Sequence, residues 1–222
     1  MTMMGRIVSL FPTLMIILNL WALGVFAAAP NVLTALLLVF TLYLFAPILF
    51  RIHDLFRPLN EGVSRLDGPT YSPWWASHQF QLFYDSLPFL ESLLRLVPGA
   101  YSAWLRLWGA RVGFGVHWTP RVEIVDRPLM LVGNRVVFGH KVEAYAHLIR
   151  MRGSEMRLLV KRIHIGDRAF IGAGSRIGPG GRIPKDAMVP TLTDIQVNHT
   201  FGGEVRHASP EEAQIATDVP AA

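Results

Sequence analysis

Cysteine is absent from the 222-residue chain. That absence excludes disulfides, thiolate metal ligands and a cysteine nucleophile. Charge is also scarce, with 17% of residues charged against 51% hydrophobic and a mean hydropathy of +0.34. Such a balance excludes an ordinary water-soluble domain and points to a membrane. The charge present is unevenly signed, since 21 Lys and Arg oppose 16 Asp and Glu for a formal net charge of +5. In so apolar a chain the basic excess suits anionic lipid headgroups. No motif that reads RNA or DNA is present, so nucleic acid is not an expected partner.

Two stretches lack charge altogether. Residues 7–29 and 32–50 contain no Asp, Glu, Lys or Arg, and each approaches the ~20 residues that a ~30 Å hydrocarbon core requires. Pro30-Asn31 between them predicts a tight turn, so the expectation is a two-helix transmembrane hairpin over 1–50. Ala27-Ala28-Ala29 also fits a signal-peptide cleavage site, but no polar segment separates it from the second apolar run. Arg6 before the first run, and Arg51 and Arg57 after the second, put both ends in the cytoplasm by the positive-inside rule.

Segment 51–111 carries apolar residues at 80, 83, 84, 87, 90 and 94, then at 101, 104, 105 and 108, which is helical i, i+3, i+4 spacing. Pro88 bends the chain or starts a new segment, and Pro98-Gly99 separates two helices. Trp74, Trp75, Trp104 and Trp108 stand with Arg95, Arg106 and Arg111. The segment therefore reads as amphipathic interfacial helices, rings at headgroup level and cations toward phosphate. Helices packed on the rest of the protein are the other reading. At the far end, 206–222 reads as a disordered tail.

What the chain has in quantity is a period. From Ile165 an aliphatic residue returns every sixth position, at 171, 177, 183 and 189, each followed by Gly or Pro. Six fits neither a 3.6-residue helix nor an alternating strand. It fits a coil with flat sides, each a short strand and a turn, in which the aliphatic residue points inward and its Gly or Pro neighbour permits the corner. Val132, Phe138 and Ala144 share the spacing, as do Val112, Trp118 and Ile124. The step from 124 to 132 is eight, and between 144 and 165 the register breaks into a loop, "LIRMRGSEMRLLVKR". Three sides of six make a coil of eighteen, so 112–189 holds about four coils, and the repeat domain is set at 112–205.

The tandem "IGDRAFIGAGSRIGPGGRIPKDAMV" resembles the hexapeptide-repeat acyltransferases, over about residues 99–195. The resemblance implies a left-handed parallel β-helix; general crossover rules would favour the opposite hand. The expected fold class is thus membrane α plus β: a transmembrane hairpin, amphipathic interfacial helices, then a short left-handed parallel β-helix of about four coils. "LRLWGARVGFGVHW" and "IVDRPLMLVGNRVVFGHKVEAYAHL" resemble the hexapeptide domains of membrane-bound, nonribosomal-peptide-synthetase-like proteins. These share the Gly-Ala-Arg entry, an acidic residue before Pro, and His-Leu opening a loop. Phe138 departs from that pattern, and no adenylation or carrier domain is present.

The resemblance implies acyl transfer from a thioester donor, acyl-CoA or an acyl carrier protein, with no permanently bound cofactor. Some relatives only bind, and a non-catalytic scaffold or membrane adaptor is the alternative function. Family members often form trimers, though a monomer stays open here. The expected acceptor is a hydroxyl or amine in or near the bilayer, and the expected location is a bacterial-type inner membrane with the catalytic domain in the cytoplasm.

Such transfer needs a base for the attacking group. In the family a His plays it where a repeat gives way to a protruding loop, and His147 occupies that place. His140, one hexad earlier, could line the same cleft. A carboxylate would fix the His tautomer, and Asp126, Glu143 and Glu123 are the candidates; Asp126 matches the acidic residue before Pro. Arg150, Arg152, Arg157, Lys161 and Arg162 in the loop suit the phosphates of the donor, anionic headgroups, or plain solvation. His140, His147 and His164 lack the spacing of the zinc hydratases of this fold, so no metal site is expected and a hydratase is the least favoured reading.

Overall fold

The computed structural model describes residues 2–203 and 209–217. They form two compact units, Met1–Leu59 with Pro69–Leu87, and Asn60–Gly68 with Pro88–Ala222.

The first unit is helical. Helices α1 (Met3–Val8) and α2 (Phe11–Ala28) make one leg; α3 (Val32–Val39), a π-helical turn over Phe40–Leu44 and α4 (Phe45–Phe56) make the other. The spans Met3–Ala28 and Val32–Phe56, 26 and 25 residues, are long and apolar enough to cross a membrane by length and composition. The second thus runs past residue 50, the expected boundary. The turn between them is a reciprocal cap, with Thr34 N–H donating to Asn31 Oδ1 and Asn31 N–H to Thr34 Oγ1, both at 3.1 Å. This satisfies two helix-end donors at once.

After β1 (Gly62–Arg65), which lies in the second unit, α5 (Pro73–Ser86) returns to the first. Phe80 packs edge-on to Phe11 at 4.6 Å, and the Tyr84 hydroxyl donates to Leu42 O at 2.9 Å. Leu42 sits in the π-turn, and a π-turn leaves a carbonyl without its usual partner, here satisfied from a neighbouring helix.

The second unit resumes after α5 with α6 (Phe89–Arg95) and α7 (Ala100–Leu107), separated at Pro98-Gly99. The interfacial placement of the tryptophans is corrected here. Trp74, Trp104 and Trp108 are buried, so the helical spacing through 80–84 and 101–108 marks faces that pack on protein. An exposed apolar ridge does persist on α6 and just beyond it, at Phe89, Leu93, Leu96 and Val97.

A three-sided parallel β-helix follows. Its coils are β2 (Arg111–Val112), β3 (His117–Trp118) and β4 (Glu123–Ile124); then β5 (Met130–Val132), β6 (Val137–Phe138) and β7 (Glu143–Ala144). A hairpin, β8 (His147–Arg152) and β9 (Glu155–Val160), interrupts them. The coils resume as β10 (Ile163–Ile165), β11 (Phe170–Ile171) and β12 (Arg176–Ile177), then β13 (Arg182–Ile183), β14 (Met188–Val189) and β15 (Asp194–Ile195). Parallel pairing stacks Val112, Val132, Ile165 and Ile183 in one inward column. Trp118, Phe138, Ile171 and Val189 form the second, and Ile124, Ala144, Ile177 and Ile195 the third. Phe138, the departure from the aliphatic pattern, stacks on Trp118 at 4.4 Å, their planes 12° apart. Two adjacent oversized residues thus compensate each other inside the coil.

The corner chemistry differs from the expectation. A left-handed residue lies three positions after ten of the twelve inward residues, at Gly115, Arg121, Arg135, Lys141, Arg168, Gly174, Gly180, Asp186, Leu192 and Asn198. The glycine directly after the inward residue serves close approach instead. A Cβ on Gly133 would lie 2.6 Å from Asp167 N and 2.9 Å from its Cα in the next coil, a separation no side chain tolerates.

Two further expectations are corrected. The 148–162 loop is the β8–β9 hairpin, and β1 pairs antiparallel with β9 to widen it into a three-stranded sheet. Within the 206–222 tail, α8 (Pro210–Thr217) is a helix whose Ile215 is buried with Leu159 and Val197. An apolar anchor on the hairpin orders what composition alone marks as tail. Residues 204–208 and 218–222 lie outside the described residues.

Candidate active site

The two departures from the six-residue period fall at one corner. After Ile124 and after Ala144 the left-handed residue at position +3 is missing. Arg127 there enters a 3₁₀ turn, Arg127–Leu129, and His147 there starts β8. Val125 N–H donates to Ala144 O at 3.0 Å, so the two coils stack in register up to the break. That stacking brings residue 126 of one coil beside residues 146 and 147 of the next.

Asp126 is 3% exposed. Its Oδ2 accepts Ala146 N–H at 2.8 Å and lies 2.7 Å from His147 Nδ1. An oxygen that already accepts a backbone N–H is the acceptor toward the ring as well, so Nδ1 carries the proton and donates. This places the lone pair of the neutral imidazole on Nε2. The His147 side chain is 19% exposed. Ala146 O accepts Lys161 N–H at 2.8 Å, which closes the base of the hairpin next to His147.

A buried ionic cluster holds the segment that carries Asp126. The Arg127 Nε donates to Glu91 Oε1 at 2.7 Å, and Nη2 bonds the same oxygen. Glu91 Oε2 accepts from Arg95 Nη2 and from the Tyr101 hydroxyl, each at 2.9 Å. Arg95 Nη2 also donates to Val122 O at 2.7 Å. Burial, and secondarily the Glu91 charge, raises the Tyr101 hydroxyl far above its ordinary value, so it remains a donor. Glu91, Arg95 and Arg127 are all buried in side chain. Helices α6 and α7 thereby pin the first coil on both sides of Asp126. Arg127 and Glu91 carry no sequence signal for this role, because an Arg after an Asp reads as surface.

The other candidates separate. His140 is exposed at the corner before β7, and Glu143 and Glu123 face outward as paired neighbours on β7 and β4. The hairpin cations divide. Arg157 pairs with Glu155 at 2.7 Å and Glu211 at 2.8 Å, Lys161 with Glu212 at 2.7 Å, and Arg162 with Glu61 at 2.5 Å. Arg150 and Arg152 sit on β8 opposite Arg157 and Glu155. Carboxylates of the protein itself therefore neutralise three of the five cations assigned to donor phosphates. Among the described residues no group of three or more His, Asp and Glu is gathered as metal ligands would be.

Cavities open on this unit, two of them away from His147. One, of about 490 Å³, lies between α7 and the first coil; the other, of about 550 Å³, lies over the sheet of β5, β10 and β13 beside His164. His147 lines neither of them. His164 titrates below the ordinary histidine value, because of burial first and the Arg182 charge second, with Glu61 opposing and Arg162 adding least.

The fold defines a three-sided parallel β-helix protein with a carboxylate–imidazole pair at a broken corner. No family model matches the chain, and no curated protein does. Solved structures similar to it include a hexapeptide-repeat-containing acetyltransferase from Vibrio cholerae, 15% identical over 52% of this chain and 85% of that one, with a TM-score of 0.36. A galactoside acetyltransferase in complex with coenzyme A is 16% identical over 52% of this chain and 76% of that one, with a TM-score of 0.32. A maltose O-acetyltransferase from Clostridium difficile 630 is 14% identical over 52% and 79%, with a TM-score of 0.26. At these values no residue role is carried over from them.

Proposed function

We propose that the chain is a membrane-anchored acyltransferase of the hexapeptide-repeat type, its coil left-handed. It moves an acyl group from a CoA or carrier-protein thioester to a hydroxyl or amine of a lipid-like or membrane-proximal acceptor. The observation that carries this reading is the Asp126–His147 pair, 2.7 Å apart, at the one corner where the coil breaks. His147 Nε2 takes the proton of the attacking group as the new C–O or C–N bond forms. The tetrahedral adduct then expels the thiolate, which leaves as the thiol once protonated. Asp126 holds the imidazole in the tautomer with Nε2 as base and stabilises the imidazolium that forms. The two membrane-length helices support the anchor, and an anchor has chemical use when the acceptor or a long acyl donor lives in the bilayer.

The test is His147→Ala in membranes supplied with labelled acyl-CoA or acyl carrier protein. Transfer is expected to fall by about 100-fold or more, the usual worth of a positioned base. Wild-type transfer by the variant removes His147 from the mechanism. A second reading is a non-catalytic scaffold at the membrane, with His147 outside the two cavities described above. The scaffold reading expects the wild-type chain itself to transfer nothing from either donor.

A further inference from the structure

The cavity between α7 and the first coil has a composition that the acyl-transfer reading does not use. Its lining includes Arg95, Arg106, Ser102 and His117, of which Arg95 is already paired with Glu91. Arg95 is buried, its side chain 6% exposed, and its Nε–H has no hydrogen-bond partner. Arg106 spends Nε and Nη2 on Val112 O and Gly113 O at 2.9 and 2.8 Å; its Nη1 makes no hydrogen bond among the described residues. Ser102 Oγ accepts Trp118 Nε1–H at 2.8 Å, so its own hydroxyl proton is left to donate.

The N-terminus of α7 adds to this. Its cap is Gly99 at φ 79°, with no side chain to close the first turn. Among the described residues the N–H groups of Tyr101 and Ser102 make no hydrogen bond, and both residues line the cavity. The N-terminal turn of α7, the Arg106 guanidinium and the Ser102 hydroxyl line one space of about 490 Å³. Every one of these groups is a donor, which is the inventory an oxyanion satisfies.

The rim is apolar. Val97 is 59% exposed and Phe114 81%, and both line the mouth. Leu93 and Leu96 continue the exposed ridge from α6. A donor-lined cavity ringed by exposed aliphatic and aromatic side chains fits an anion that carries an apolar tail.

We propose that this cavity binds the phosphate headgroup of an anionic membrane lipid, with Val97 and Phe114 against the acyl region. The site is independent of the His147 chemistry. It would let the β-helix unit register on acidic bilayer patches.

The experiment uses the full chain in a neutral detergent. Native mass spectrometry is used to measure binding of dioctanoyl phosphatidic acid, of dioctanoyl phosphatidylcholine with the same tails, and of inorganic phosphate. Phosphatidic acid is expected to bind about tenfold tighter than either comparator, the scale of one or two charge-assisted hydrogen bonds. Arg106→Gln is expected to lose about tenfold of that affinity. Because Arg106 also ties α7 to β2, Phe114→Asp is the second variant. It is fully outward, leaves those bonds in place and sets a carboxylate at the mouth, so it should weaken phosphatidic acid as much while the unfolding temperature stays at the wild-type value. Equal affinity for phosphatidylcholine overturns the proposal. So does wild-type affinity in Phe114→Asp, and inorganic phosphate binding as tightly as the lipid reassigns the cavity to free phosphate and overturns it too.

Discussion

Asp126 acts on His147 through one oxygen that is also held by the Ala146 N–H. That double use makes the pair directional. Asparagine at 126 keeps the shape, but its amide N–H₂ can face Nδ1 and stabilise the wrong tautomer, with the proton on Nε2. Under the proposed acyl transfer, with His147 as base, Asp126→Asn is therefore expected to lower kcat by about 100-fold or more with KM little changed, since the group would act on the base and not on substrate binding. Steady-state kinetics on the purified full chain would check it; wild-type kcat would leave the pair structural.

His164 makes a different residue-scale statement. Its folded-state pKa lies below the ordinary value, so between the two values the unfolded chain binds more protons than the folded one. Its contribution to stability is complete above about pH 6.5 and is lost as pH falls below it. The difference in unfolding temperature between pH 7.5 and 5.5 is expected to be smaller in His164→Gln than in the wild type; an equal difference would remove His164 as a cause.

At the scale of the element, the coil tests what glycine is for. A methyl group on Gly133 meets the Asp167 backbone, 2.6 Å from N and 2.9 Å from Cα, and neither atom belongs to a flexible side-chain end. Gly133→Ala is expected to cost about 1–3 kcal/mol, as overpacking of a fixed backbone does, read as a lower midpoint in denaturant unfolding. The inward columns were legible because a buried position tolerates only apolar side chains, and that restriction writes the period into the sequence. The left-handed corner was not legible, because Arg, Lys, Asp, Leu, Asn and Gly all occupy it and share no side-chain property. Asp126 and His147 were each readable, one before Pro and one at the head of a loop. Asp126 was one of three carboxylates open for His147; that it makes the pair, and not Glu143 or Glu123, was not legible, since it requires two separate breaks in the period to coincide at one corner. Glu211 and Glu212 sat in what composition marks as tail, and Glu61 in the segment read as interfacial helix, so their capture of Lys161, Arg157 and Arg162 was invisible from the chain.

At the scale of the molecule, the boundary between units does not follow the chain. Segment 60–68 belongs with the β-helix and 69–87 with the N-terminal helices, so cutting after the second apolar span does not yield a clean soluble half. α5 packs on α2 and α4, where Trp74, Phe80, Phe83 and Tyr84 are buried. Removing residues 1–59 would bare that face while leaving α5 attached. Buried aromatic side chains stripped of their partners form a contiguous apolar patch of the kind that drives association. A chain starting at residue 60 is expected to elute from size exclusion as aggregate in detergent-free buffer, whereas a chain starting at Pro88 lacks that face, though it also loses β1 from the edge of the hairpin sheet. If the chain starting at residue 60 proves monodisperse, α5 does not depend on the helices it packs against, and the division into these two units fails as an account of stability.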